Sequence, residues 1–316
     1  MKGQTDRMVP SRRDRFRPFL YLLPAAVLIG VFSIFPLVYG FVVSLCRWGI
    51  VFERYVGLGN YYRAVLDPDF RQSLIVTIYY VIGTVPAGLI LSYIIACQLF
   101  QKLRARGMYR TIYFLPYVTS TVAAAAVWRW FFDPNQGLAN AGLALLGLDG
   151  IGWVQEPRSI FQVFASLAGL QLDWGGPSVA LLCVIVFSIW QSLGFNVVIF
   201  LAGLSAVPAE VHEAALIDGA SGWRLARYVT IPMISPTIFF LVIVSVIRAF
   251  QAFNQIYVMI GGHPMSEARN VTMFIFTKFY SSGQVGYGSA VAFLLFVIIL
   301  ALTMAQMKLL AKVTHY

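Results

Sequence analysis

The sequence predicts an all-α membrane protein of about six transmembrane helices, and three observations carry that prediction. Of its 316 residues, 59% are hydrophobic and only 11% charged, with a mean hydropathy of +0.76, whereas a soluble domain carries roughly a quarter charged residues. Six apolar runs reach the roughly 20 residues that a helix needs to cross the hydrocarbon core. The basic residues between those runs collect in alternate loops, as the positive-inside rule requires of a multi-pass protein.

The first run, residues 19–46, follows a basic segment, 1–18, that carries Arg12, Arg13, Arg15 and Arg17. This start resembles a signal peptide, yet its apolar stretch is about twice the usual length and lacks a clear small-residue cleavage site, so it reads as an uncleaved span. An outer loop completes this part of the chain at residue 72. The core, 73–308, holds the other five runs at 73–100, 111–132, 178–204, 231–259 and 288–307, and 309–316 is a tail. Pro24, Pro36, Pro86, Pro116 and Pro236 fall within or near these runs, so kinks are expected where neighbouring helices re-satisfy the backbone. The connection 133–177 is too long for a turn. Its stretches 138–148 and 159–172 are apolar but too short to span, and read as interfacial helices.

Orientation follows from Lys and Arg. One side collects fourteen: six in the N-terminal segment, four in 101–110, two in 205–230, and Lys308 with Lys312. The other side has seven: Arg47, Arg54, Arg63, Arg71, Arg158, Arg269 and Lys278. Both termini are therefore expected in the cytoplasm, which agrees with an even number of spans. The formal charge of +10 is explained by this topology rather than by nucleic acid.

The chemistry-bearing residues exclude several classes of function. All thirteen Asp and Glu residues fall in loops or tails on this reading, whereas ion-coupled carriers place carboxylates or histidines inside the bundle. An ion-coupled secondary transporter of a small polar solute is thus the alternative reading, from a different class. His212, His263 and His315 are scattered without HExxH spacing, and Cys46, Cys97 and Cys183 lie in apolar segments, so neither an enzyme nor a metal site is indicated. The chain has no GxxxxGK[ST] phosphate loop. If ATP drives it, another subunit binds the ATP and its Mg²⁺, and the chain itself needs no cofactor.

The most informative segment is 205–232, between the fourth and fifth runs. Glu213-Ala214-Ala215, three residues, Gly219, nine residues, then Val229-Thr230-Ile231-Pro232 resembles the EAA loop of permease subunits of ABC importers. Glu213, Ala214 and Ala215 have good helix propensity and small side chains, and Gly219 permits the turn that follows Asp218 into a second helical piece. Gly57-Leu58-Gly59-Asn60-Tyr61, Tyr113-Phe114-Leu115-Pro116, Asn254-Gln255-Ile256-Tyr257 before Gly261-Gly262-His263-Pro264, and Gly286-Tyr287-Gly288-Ser289-Ala290 resemble the carbohydrate branch of that family, the maltose-importer type. The resemblance covers nearly the whole chain from Leu20; the segment 161–177 departs from it by being longer than the common pattern. It implies a type I ABC importer permease fold in the bacterial inner membrane and transport by alternating access. It also implies four kinds of partner: a second homologous permease, an ATP-binding subunit dimer, an extracytoplasmic solute-binding protein and a sugar substrate. Glu213, Ala214, Ala215, Asp218, Gly219 and Pro232 would couple to the ATPase.

Polar residues inside the runs are few and clustered. Gln191, Ser192 and Asn196 lie in the fourth, and Arg248, Gln251, Asn254 and Gln255 in the fifth; the amides, together with Gly194, are expected to line the substrate pathway. At 100° per residue, Gln251, Asn254 and Gln255 are expected on one helix face. Amides beside Trp190, Phe253 and Tyr257 suit a neutral polyhydroxylated ligand; interhelical glue is the competing reading. Arg248 reads as structurally paired or snorkelling rather than as a ligand contact.

Overall fold

A computed structural model of the chain describes residues 12–101, 105–167, 175–261 and 267–311. The expected 1–11 of the basic segment, residues 102–104 of the second basic loop, 168–174 of the outer connection, Gly262, His263 and Pro264, and residues 312–316 lie outside the described residues. What is described is almost entirely helical and falls into two compact units, one built from residues up to 64 with 278–293, the other from 65–277 with residues from 294 on.

In the first unit, α1 (Arg12–Ile29), a π-helical turn (Gly30–Ile34) and α2 (Phe35–Ser44) make one continuous helical rod, basic at its start, of which Tyr21–Ser44 is long and apolar enough to span. The π turn has a local cause. Pro36 has no N–H and its ring presses on the preceding turn; Phe35 N–H instead reaches back five residues to the Gly30 carbonyl, which widens the helix just ahead of the proline. An antiparallel hairpin follows, β1 (Cys46–Trp48) and β2 (Phe52–Tyr55), with Cys46 opposite Tyr55. Asn60, at the start of α3 (Gly59–Leu66), donates both to the Ser44 and to the Cys46 carbonyls at 2.8 Å. It thereby caps carbonyls that the end of the first span leaves free, which gives the Gly-Leu-Gly-Asn-Tyr stretch its purpose. Buried Tyr287 carries the Arg63 guanidinium 4.4 Å above its ring.

The second unit is organised on two long helices, α4 (Pro68–Phe100) and α9 (Val179–Ser205). Asp67 caps α4 by accepting from Asp69 N–H, with Pro68 in the first turn where its missing N–H is harmless. Ser178 caps α9 by accepting from Leu181 N–H at 3.2 Å. Tyr80 meets Ser188, Gly88 meets Ser192 and Tyr93 meets Phe200, so partners advance together and the two helices run parallel. A parallel pair requires the chain to recross the membrane once between them.

That crossing belongs to α5 (Arg106–Val118) and α6 (Thr121–Phe131), expected as one run kinked near Pro116 and found bent by 93° at Thr119 and Ser120, just beyond that proline. The fifth expected run, 231–259, is likewise divided. The stretch Gly222–Met233, comprising α11 (Gly222–Leu225), a π turn (Ala226–Thr230) and α12 (Ile231–Met233), meets α13 (Ser235–Phe250) at 74°, beside Pro236. The π turn again precedes a proline, Ile231 N–H reaching the Ala226 carbonyl directly before Pro232. After α13 the chain restarts as α14 (Asn254–Ile260), then α15 (Val271–Phe276) and α16 (Val285–Ala311). Among the described residues, four continuous helices, together with two bent pairs taken as one span each, match the six expected spans. The outer connection contains α7 (Leu138–Leu145) and α8 (Ile160–Leu167), both too short to cross.

Candidate functional site

Helices α4, α5, α6, α9, α13 and α14 enclose a cavity of about 190 Å³. Ten of its thirteen lining residues carry a hydroxyl or an amide, Tyr80, Thr84, Tyr117, Thr121, Ser188, Gln191, Ser192, Asn196, Ser245 and Gln255, and the others are Val85, Arg248 and Ala249. Tyr80, buried between α4 and α9, donates to Ser188 Oγ at 2.8 Å and accepts from Gln255 Nε2 at 3.1 Å. Gln191 Nε2 donates to Thr121 Oγ1 at 3.0 Å. Each of these amides makes one bond between helices and keeps further donor and acceptor capacity, while Asn196, only 4% exposed, presents its side chain to the same space.

Three expectations are corrected here. Gln251, Asn254 and Gln255 do not share a helix face, because α13 stops at Phe250 and Phe253 takes a non-helical backbone (φ −133°, ψ −60°). The break is held from outside the helix: the Ala252 carbonyl accepts from Asn270 Nδ2 at 2.6 Å and from the Thr272 hydroxyl. Only Gln255 lines the cavity; Gln251 and Asn254 are exposed elsewhere. Gly194 lies off the cavity wall and brings α9 against α5, where an added Cβ would sit 2.4 Å from the Tyr113 carbonyl oxygen. The aromatic neighbours also differ. Trp190 packs on Trp128 and Phe187, and Phe253 stacks on Tyr257, leaving Tyr80 and Tyr117 as the cavity's rings.

Tyr80, Ser188, Ser245 and Tyr117 were not anticipated from the sequence. Ser188 was within reach, since it continues the Gln191, Ser192 stripe by one helical turn, and Tyr80 with Thr84 repeats that spacing on α4. Among the described residues, no cluster of three or more His, Cys, Asp or Glu side chains suits a metal.

The segment 205–232 is a second, separate feature. Glu213, Ala214 and Ala215 lie in α10 (Ala209–Ile217), and Asp218 ends it. Gly219 has φ +81°, with its N–H on the Leu216 carbonyl and Ala220 N–H on the Ala215 carbonyl, the paired bonds of a Schellman helix end. A Cβ at Gly219 would meet nothing within 4 Å, so the position demands a backbone conformation rather than space. Glu213, Ala214 and Asp218 are exposed, and so are the apolar Leu216, Ile217, Trp223 and Tyr228 around them.

Residues 73–315 match the family described as the binding-protein-dependent transport system inner membrane component. The chain belongs to that family. Similar proteins include a probable ABC transporter permease protein of Pyrococcus horikoshii, 32% identical over 299 residues, which cover 93% of this chain and 96% of the relative. The trehalose/maltose transport system permease protein MalF of Thermococcus litoralis is 31% identical, with 92% of each protein covered. The sn-glycerol-3-phosphate transport system permease protein UgpA of Agrobacterium fabrum is 28% identical, with 96% of this chain and 97% of the relative covered. In fold, a chain of a bacterial alginate ABC transporter, crystallised in complex with an alginate pentasaccharide-bound periplasmic protein, matches 96% of this chain at 19% identity and a TM-score of 0.78. The architecture is therefore that of a type I importer permease. This inner membrane component is a permease subunit of an ABC transporter, not an enzyme and not an ion-coupled carrier.

Proposed function

We propose that this permease forms one half of the pathway by which an ATP-driven importer carries a sugar-like solute across the membrane by alternating access. The observation that carries the reading is the cavity lined by Gln191, Ser192, Asn196, Gln255 and the surrounding hydroxyls. A polyhydroxylated solute loses its water shell on entering a membrane protein, and closely spaced amides and hydroxyls replace those hydrogen bonds. The relatives named for trehalose/maltose and for sn-glycerol-3-phosphate transport handle solutes of this kind.

The other partners follow from the same reading. A second homologous permease completes the pathway, an ATP-binding subunit dimer receives α10, and an extracytoplasmic binding protein delivers the solute, with both termini of this chain in the cytoplasm. ATP and Mg²⁺ belong to the ATP-binding subunits. Exposed apolar side chains beside Glu213, on a helix outside the spans, support α10 as the part that enters a partner's cleft. The test is uptake by the assembled transporter carrying Asn196→Ala or Gln255→Ala. Uptake is expected to fall at least tenfold with basal ATP hydrolysis and complex abundance kept; a loss of uptake that only tracks a loss of assembled complex would leave these amides as helix glue and contradict the assignment.

A further inference from the structure

The cavity wall holds one permanent charge that the described residues leave unanswered. Arg248 stands in the last turn of α13. Its guanidinium carbon lies 4.3 Å from the centre of the Phe195 ring and 5.9 Å from that of Tyr117, and these two rings are themselves stacked 5.2 Å apart. The planar cation thus rests on an aromatic shelf that fixes its orientation. Of its five N–H donors, one points to the Tyr117 hydroxyl at a long 3.5 Å. No carboxylate of the described residues lies within 4 Å of it; of the two expectations, pairing or snorkelling, a paired carboxylate is not found among them, while the side chain is exposed.

A guanidinium does not shed its proton in a protein, and Arg248 is exposed at the side of the cavity, so its free N–H donors are open to a solute. Its fork of parallel N–H groups matches a carboxylate or a phosphate two bonds at a time. Beside it the wall offers amides and hydroxyls suited to neutral hydroxyl groups. We infer that the solute carried by this pathway bears an oxyanion, a carboxylate or a phosphate, on a polyhydroxylated body, with Arg248 on the oxyanion and Gln191, Asn196 and Gln255 on the hydroxyls. This deepens the proposed function and rests on it; it replaces the neutral ligand that the amides alone suggest.

The test is direct binding to the purified complete transporter, followed by the shift of its thermal midpoint with three probes: maltose, a disaccharide of two uronic acids, and glucose 6-phosphate. At least one acidic probe is expected to bind ten times more tightly than maltose, and which one it is identifies the oxyanion. Arg248→Gln is expected to remove that preference, so that neither acidic probe binds more tightly than maltose. Arg248→Lys keeps the charge without the fork, is expected to fall in between, and serves if the glutamine variant does not assemble. The inference is overturned if maltose binds as tightly as both acidic probes, or if both variants keep the acidic preference of the unaltered protein. It is also overturned if Arg248→Gln sheds the second permease while Arg248→Lys keeps normal assembly and shows no preference for acidic probes, because the counterion is then the partner's. Binding of none of the three probes would instead count against the sugar-like solute itself, and both readings fall together.

Discussion

Replacing Gly194 by alanine would place a methyl carbon 2.4 Å from the Tyr113 carbonyl oxygen and 2.6 Å from Phe114 Cα. Both contacts are backbone, so neither can rotate away, and α9 would have to part from α5. Overpacking of this kind costs about 1–3 kcal/mol, and Gly194→Ala is therefore expected to lower the thermal midpoint and the membrane abundance of the protein; an unchanged midpoint would mean that the two helices are not held this closely. Gly194 shows how a residue can be noticed in the sequence for the wrong reason. It was expected to line the pathway, whereas the missing side chain lets α9 approach the Tyr113–Phe114 backbone of α5, the close approach that a small residue allows between membrane helices. Gln191, Asn196 and Gln255 were legible because an amide in an apolar run must face protein or solute. Gln251 and Asn254 satisfy the same rule equally well, and only the path of the backbone separates them.

At the scale of elements, prolines announced most of the irregularities. Pro36 and Pro232 each follow a π turn, and Pro116 and Pro236 stand beside the bends of 93° and 74°. The break after Phe250 had no such signal, since Gln251-Ala252-Phe253 contains neither proline nor glycine. It is imposed by Asn270 and Thr272, about twenty residues away, which take the Ala252 carbonyl. Tertiary capture of one carbonyl is invisible to periodicity. The loop carrying α10 was the opposite case, because Gly219 in its left-handed conformation is a local requirement with a local residue. Gly219→Leu forces a branched side chain into that conformation at a cost of about 1–2 kcal/mol, while Gly219→Asn tolerates it. Leucine is expected to reduce coupling, read as ATP hydrolysis that no longer responds to solute-loaded binding protein, with asparagine close to the unaltered protein. Equal behaviour of the two would show that the helix end does not transmit the motion.

Across the whole molecule, the parallel run of α4 and α9 asks for one crossing between them, and the segregation of basic residues leads to the expectation that both termini are cytoplasmic. Reporter fusions within residues 101–110 and after Lys312 are expected to report cytoplasm, and fusions near Asn140 and Gly262 the opposite side; a C-terminus on the outside would break the six-span arrangement. The six-span arrangement takes each of the two bent pairs as one span. The central claim is that a separate ATPase powers this pathway. It is tested most directly by solute uptake into proteoliposomes that hold the complete transporter, with ATP enclosed and the binding protein outside. The account predicts uptake that stops when ATP is omitted and is unaffected when proton and sodium gradients are collapsed. Uptake that proceeds on an ion gradient without ATP would contradict it.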